Sequence, residues 1–277
     1  MEISLATELF PPRTNDPINI ISEHLHRSQN SPLDISAADW SSASLDRSNE
    51  PVILLLLSHC ERWQRFMIGT VAVDTLAAFR TIKGRLPLLE YLSLTIAQDS
   101  SATPLNDSVL NIFEVAPRLR KVSIMGRSCT REFVLPFPQL LHYETSSPTV
   151  SLFSLTQLRS LSLTSIEVPS TLTDSVETSS LHATHSPVTF HELSKLIIKT
   201  ASSHNSSLLR SIRLPSIRTI CVNSGSQAIC RDLTFILSRT MSPCLLTRLD
   251  LKTLIDASDL PALLSVTTSP TSSDYQR

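Results

Sequence analysis

The chain has 277 residues, a formal net charge of -1, 41% hydrophobic and 18% charged residues, and only 4 Gly and 5% aromatics. That length accommodates one large core or one extended repeat array, and with so few aromatics leucine has to fill it. A near-neutral balance lacks the basic bias that phosphate neutralisation needs, so nucleic acid is not an expected partner, and so few glycines argue against a nucleotide-cradling loop.

Residues 1–15, beginning MEISLATELFPPR, build no apolar stretch of signal-peptide length and no basic amphipathic pattern, and are expected to be disordered. Asp16-Pro17 reads as an N-cap followed by proline at the first helical position, with Ile18, Ile21 and Leu25 on one apolar stripe. SPLDIS at 31–36 reads as a short strand, and Pro51 opens a second helix running through Trp63. Trp63 is expected to seal the core beneath that helix, whereas Trp40 stands in the polar segment AADWSSAS. RFMIGTV at 65–71 reads as a strand, and Asp74 as the cap of a third helix with Leu76, Phe79 and Ile82 on one face and Gly84 at its end. A fourth helix is expected from Asn106 through Val115. Residues 165–187 are Ser/Thr-rich without periodicity and read as a surface loop, and 266–277 as a disordered tail. The longest aliphatic run, VILLLL at 52–57, falls far short of the roughly 20 residues of a membrane span. Five scattered cysteines, Cys60, Cys129, Cys221, Cys230 and Cys244, fit reduced structural thiols of an intracellular protein, cytoplasmic or nuclear, with no membrane partner.

A repeat dominates the rest. The pattern L-x-x-L-x-L, with other aliphatics allowed, recurs as LEYLSL from Leu89, LRKVSI from Leu119, LRSLSL from Leu158, LSKLII from Leu193, IRTICV from Ile217 and LTRLDL from Leu246, with a weaker copy, LLHYET, from Leu140. The mean spacing, about 26 residues, lies in the leucine-rich-repeat range. A proline stands two residues ahead of the leading aliphatic at Pro87, Pro117, Pro138 and Pro215, and marks strand entry. The expected fold is therefore α/β: an irregular leucine-rich-repeat solenoid over residues 16–265, with parallel strands on the concave face and helices and loops on the convex face.

The segments EHLHRSQNSPLDIS, VILLLLSHCERWQRFMI, GRLPLLEYLSL and IFEVAPRLRKVSI, in that order, resemble the F-box-type leucine-rich-repeat proteins abundant in mushroom-forming fungi. The resemblance covers residues 17–265, and the pair SHCERWQ and RLPLLEYLSL is its most telling part. It implies a repeat domain that holds a substrate protein, and a helical F-box that docks to the adaptor of a cullin-RING ubiquitin ligase. LFPP at 9–12 is not an F-box start, so the expectation is a truncated product or a protein that binds partners without recruiting a ligase. The closing Asn of standard repeats is replaced by Ala97, Arg127, Ile166, Ala201, Gly225 and Leu254, so no asparagine ladder is expected.

No catalytic, cofactor or metal site is expected. His182, His185 and His191 with Cys221 and Cys230 match no tetrahedral zinc spacing, and in His59-Cys60-Glu61 adjacent helical residues point apart, which leaves Cys60 a buried thiol. Strand alternation instead sends one set of side chains outward: Tyr91, Lys121, Met125, Lys195, Ile197, Lys199, Arg248, Asp250 and Lys252 form the candidate partner-binding face. Its basic excess, strongest in the C-terminal half, suits an acidic segment of a protein partner. A non-catalytic protein-interaction scaffold is thus the leading expectation. The alternatives are a free-standing repeat protein without ligase recruitment and an enzyme whose site these patterns do not reveal.

Overall fold

A computed structural model describes residues 2–5, 17–37, 50–71, 73–96, 111–126, 133–146, 155–164, 188–199, 209–224, 228–239 and 246–253, with 261, 263 and 265. The chain divides into two compact units, Met1–His142 and Tyr143–Arg277. Both are α/β, and every strand pairing described below is parallel.

In the first unit the strands follow chain order: β1 (Glu2–Leu5), β2 (Leu33–Ala37), β3 (Trp63–Val71), β4 (Tyr91–Ile96) and β5 (Lys121–Met125). Helix α1 (Pro17–Ser28) separates β1 from β2, and α2 (Glu50–Ser58) separates β2 from β3. Its stripe works as its spacing predicts, with Ile21 and Leu25 buried, and α1 packs on α2. Helix α2 stops at Ser58; a 3-10 turn over Cys60–Arg62 follows, and Trp63 opens β3 instead of closing the helix. Arg62 reaches back across this junction, donating from Nε to the Ser31 carbonyl at 3.0 Å and from its terminal nitrogen to Ser28 Oγ. Helix α3 (Val73–Ala78) starts one residue before the expected Asp74 cap and continues as a 3-10 turn over Phe79–Ile82, and Gly84 follows at φ +77°. Leu76, Phe79 and Ile82 are buried as expected.

Two expectations change. Glu2–Leu5, inside the segment read as disordered, pair with β2 in register Glu2↔Asp34 through Leu5↔Ala37, which satisfies an edge otherwise left with bare N–H and C=O groups. Residues 111–115 form turns, not the last turn of a helix, and residues 106–110 of that expected helix lie outside the described residues. Trp40, residues 165–187 and the tail 266–277 also lie outside them.

Strand β3 departs from simple alternation. Its partners jump from Leu33↔Trp63 to Asp34↔Arg65, so Gln64 is an extra residue, and between Ile68↔Leu94 and Val71↔Ile96 there is a second extra residue. Each bulge resets the inward set. Trp63, Phe66, Ile68 and Val71 all face the core in consequence, and Trp63 stacks on Phe66 with ring centroids 4.3 Å apart.

In the second unit, which holds all of β6 (His142–Thr145) but its first residue, the order is β6, β7 (Ser160–Leu163), β9 (Lys195–Ile198), β11 (Thr219–Ser224) and β12 (Arg248–Thr253), with a separate short pair of β8 (Val188–Thr189) and β10 (Ile212–Arg213). Helix α4 (Ala228–Ser238) links β11 to β12 and buries Ile229, Cys230, Leu233, Ile236 and Leu237. No helix among the described residues is long and apolar enough to cross a membrane.

One local device recurs at strand entry. The amides of Leu119, Leu140 and Ile217 donate to the carbonyls of Ala116, Phe137 and Leu214, closing turns in which Pro117, Pro138 and Pro215 take the second position. Proline is pre-set for that position of a type I turn, so these prolines build the corner that precedes the strand. The residue ahead of each proline is buried too, as are Leu86 ahead of Pro87 and Leu155 in a turn without proline. Two residues after the leading aliphatic the strand begins.

Candidate functional site

Within each unit the strands carry core residues on one face and the expected outward residues on the other. Leu92, Leu94, Val122, Ile124, Leu161, Leu163, Leu196, Ile198, Ile220 and Val222 are all buried. In the first unit Arg65↔Tyr91↔Lys121 form one cross-strand row and Thr95↔Met125 another. In the second unit the rows are Ser160↔Lys195↔Thr219↔Arg248, then Ser162↔Ile197↔Cys221↔Asp250, and Asn223↔Lys252. Tyr91, Lys121, Met125, Lys195, Ile197, Arg248, Asp250 and Lys252 therefore lie on outward rows of their own units, and Lys199 continues β9 with its amide on the Leu163 carbonyl at 2.9 Å.

The charge on these rows differs from the sequence sum. Lys199 Nζ is bound by Glu144, which also accepts from Ser162 Oγ at 3.2 Å, and Arg248 lies 3.5 Å from Asp250. Glu144 comes from the weak repeat LLHYET, whose alternation faces it outward. Two of the four cations expected to dominate the second unit are thus offset locally, leaving Lys195 and Lys252 without an ion pair among the described residues.

The first unit holds the stronger basic feature. An open groove of about 950 Å³ at the entry of β3, β4 and β5 is lined by Arg65, Tyr91, Arg118, Arg120 and Lys121, with Glu90 and Leu141. Arg65 is partly engaged, 3.8 Å from Asp34 and 5.4 Å above the Tyr91 ring centroid, a cation–π arrangement. The Arg120 guanidinium donates to the Pro117 and Leu119 carbonyls at 3.3 and 3.2 Å, which fixes its fork. Gln139 pins the same turn from the following repeat, its Nε2 donating to the Ala116 carbonyl at 2.6 Å and the Leu119 carbonyl at 3.1 Å. Arg118 and Lys121 are exposed.

Of these groove residues, the outward-position rule reaches Tyr91 and Lys121. Arg118 and Arg120 sit in the turn and on the residue before the strand, where alternation along the strand does not apply. Their signal in the sequence is the run Arg118-Leu119-Arg120-Lys121, three cations at one strand entry.

Cys60 is fully buried and burial pushes its thiol up, away from thiolate character. Its neighbour His59 is held below the usual histidine range by desolvation and, secondarily, by the Arg62 charge. Cys230 is buried and Cys221 half-buried, while His191 is exposed. The described residues contain no group of three or more His, Cys, Asp or Glu side chains placed to hold a metal ion. Comparison with protein-family models finds no match, and comparison with curated proteins finds none.

Proposed function

We propose that this chain is a non-catalytic protein-interaction scaffold, an irregular leucine-rich-repeat solenoid whose outward strand faces bind another protein, and by resemblance the substrate-binding part of an F-box ubiquitin-ligase receptor. The observation that carries the reading is the recurring unit itself: a corner, a buried leading aliphatic, then a parallel strand with its core residues inward. Such a unit spends its apolar side chains on packing and leaves the outward ones unconstrained, which is how repeat proteins vary their binding surface on a constant frame. The ligase assignment is supported by the resemblance alone.

The test is affinity purification of the tagged chain from its native cell extract at low and high salt, with mass spectrometry of the co-purifying proteins. Recovery of a cullin-ligase adaptor together with a second partner is the expected result. Partners recovered without an adaptor would replace the receptor role with that of a free-standing scaffold. A charge-reversed chain, Lys195→Glu with Lys252→Glu, is expected to lose partners that bind the second unit's face, and undiminished recovery with every outward variant would remove the scaffold reading.

A further inference from the structure

Three cations in the first unit stand together without a carboxylate partner. Arg118, Arg120 and Lys121 line the groove together with one acidic residue, Glu90, and no described acidic side chain, Glu90 included, lies within ion-pair distance of the three. Two other exposed cations of this unit are paired, Lys83 with Glu114 at 2.9 Å and Arg85 with Glu61 at 3.0 Å. Three cations within four consecutive residues, Arg118 to Lys121, concentrate unpaired positive charge at this strand entry. Like charges crowded this way repel in the free protein, and an anion placed among them relieves that repulsion while gaining hydrogen bonds. Guanidinium forks match the oxygen pairs of carboxylate and phosphate, and Arg120 is held in place by the backbone before any ligand arrives.

We infer that this groove binds an extended acidic peptide segment whose clustered oxyanions come from consecutive Asp and Glu side chains. The inference rests on the scaffold reading and names the chemistry of one bound segment. A polynucleotide fits less well, because a phosphate backbone needs a basic stripe that continues along its path, and the next cation along the row, Arg65, is already engaged by Asp34 and the Tyr91 ring.

The experiment is fluorescence anisotropy on the full chain with short labelled peptides of one framework, bearing phosphoserines, Asp/Glu or unmodified serines, and with single-stranded RNA as competitor. The Asp/Glu peptide should bind, more weakly as salt rises; binding of the phosphoserine peptide without the Asp/Glu peptide would overturn the assignment. Arg118→Glu with Lys121→Glu should weaken binding at least about tenfold. Both residues are exposed and unpaired, so the variant should melt as the wild type does; Arg118→Gln with Lys121→Gln serves if it does not. Equal binding of the serine peptide, undiminished binding by the double variants, or RNA displacing the peptides at equal concentration overturns the inference. If the anionic peptides fail while the tagged chain still recovers partners, the groove assignment falls and the scaffold stands. Peptide binding without any recovered protein partner would sustain the groove and sink the scaffold.

Discussion

The aromatic cluster of the first unit yields the sharpest stability prediction. Phe66 is fully buried, stacks on Trp63 at 4.3 Å with an interplanar angle of 10°, and meets Phe79 at 5.6 Å and 53°. Phe66→Ala removes the ring closest to both others, since Trp63 and Phe79 lie 6.4 Å apart, and leaves a cavity that neither can fill without shifting. Buried Phe→Ala changes cost about 3–5 kcal/mol, and a well-placed aromatic pair adds about 1 kcal/mol, which puts this site in the upper half of the range, about 4 kcal/mol. With a urea m-value of about 2 kcal/mol/M the midpoint falls by about 2 M at unchanged m. Tryptophan fluorescence isolates the relevant transition, because both tryptophans, Trp40 and Trp63, belong to the first unit. Leu54→Ala, at a position 55% exposed on α2, is the control and should move the midpoint by less than about 0.3 M. A Phe66→Ala midpoint within about 0.5 M of wild type would refute the packed cluster and, with it, the bulge at Gln64 that turns Trp63 and Phe66 to the same side.

Other perturbations separate further causes. Gly126 has φ +152° and a Cβ there would lie 2.9 Å from the Ile96 carbonyl oxygen, whereas Gly84, at φ +77°, opens onto free space. Gly126→Ala should therefore cost about 3 kcal/mol or more, and Gly84→Ala only the backbone strain of about 1–2 kcal/mol, by thermal or urea melts. Asp232 is 1% exposed, accepts from Arg210 Nε at 2.9 Å and leaves Oδ2 without a partner, while Arg210 is 64% exposed. Arg210→Ala strands a buried charge and should destabilise by about 1–3 kcal/mol, discounted for the solvent that already screens the arginine, with Arg210→Lys recovering only part. His59 favours its neutral form in the folded chain because burial lowers its pKa, so protonation binds better to the unfolded chain. Stability should decline as pH falls below about 6.5, and His59→Gln should flatten that decline relative to wild type; identical slopes would remove the assignment.

The strands with a clean leading aliphatic were legible because burial there follows a local rule: Leu89, Leu119, Leu158, Leu193 and Ile217 are all buried, and each strand starts two residues later. The prolines were legible as punctuation but not as corners, since the carbonyl they help to cap belongs to the residue before them. Strand β3 resisted because its two bulges break the period of two, so RFMIGTV captures its last seven residues and leaves Trp63, whose burial was expected, on the preceding helix. Strand β1 depends on pairing Glu2 with Asp34, a contact that no local pattern encodes. Helix α4 carries a readable stripe, Ile229, Leu233, Ile236 and Leu237, which a search centred on the strand motif leaves aside. For the candidate site, Tyr91 and Lys121 follow from alternation, but the offset of Lys199 by Glu144 joins residues far apart in the chain, and the groove depends on turn positions beside the strands.

What holds neighbouring repeats in register also explains why their outward residues are free to differ. The carbonyl of the residue before a strand accepts two amides from the next repeat: Glu90 from Arg120 and Lys121, Arg120 from Leu141 and His142, and in the second unit Arg159 from Ser194 and Lys195, Ser194 from Arg218 and Thr219, Arg218 from Thr247 and Arg248. Ser194 and Thr247 reinforce two of these acceptors with their hydroxyls at 3.2 and 3.0 Å. The ladder uses backbone atoms, so Glu, Arg and Ser all serve at the accepting position and the side chain there remains available for a ligand. Arg120 does both: its carbonyl fixes the next repeat and its guanidinium lines the groove. Not every outward position has that freedom. Ser123 and Ser162 are only 8% and 7% exposed, covered by their larger neighbours, and a long side chain at either would have to displace them. The charged side chains that reach solvent on this frame therefore stand at the row ends and strand entries, as Lys121, Lys195 and Arg118 do, while the middle rows hold the covered serines.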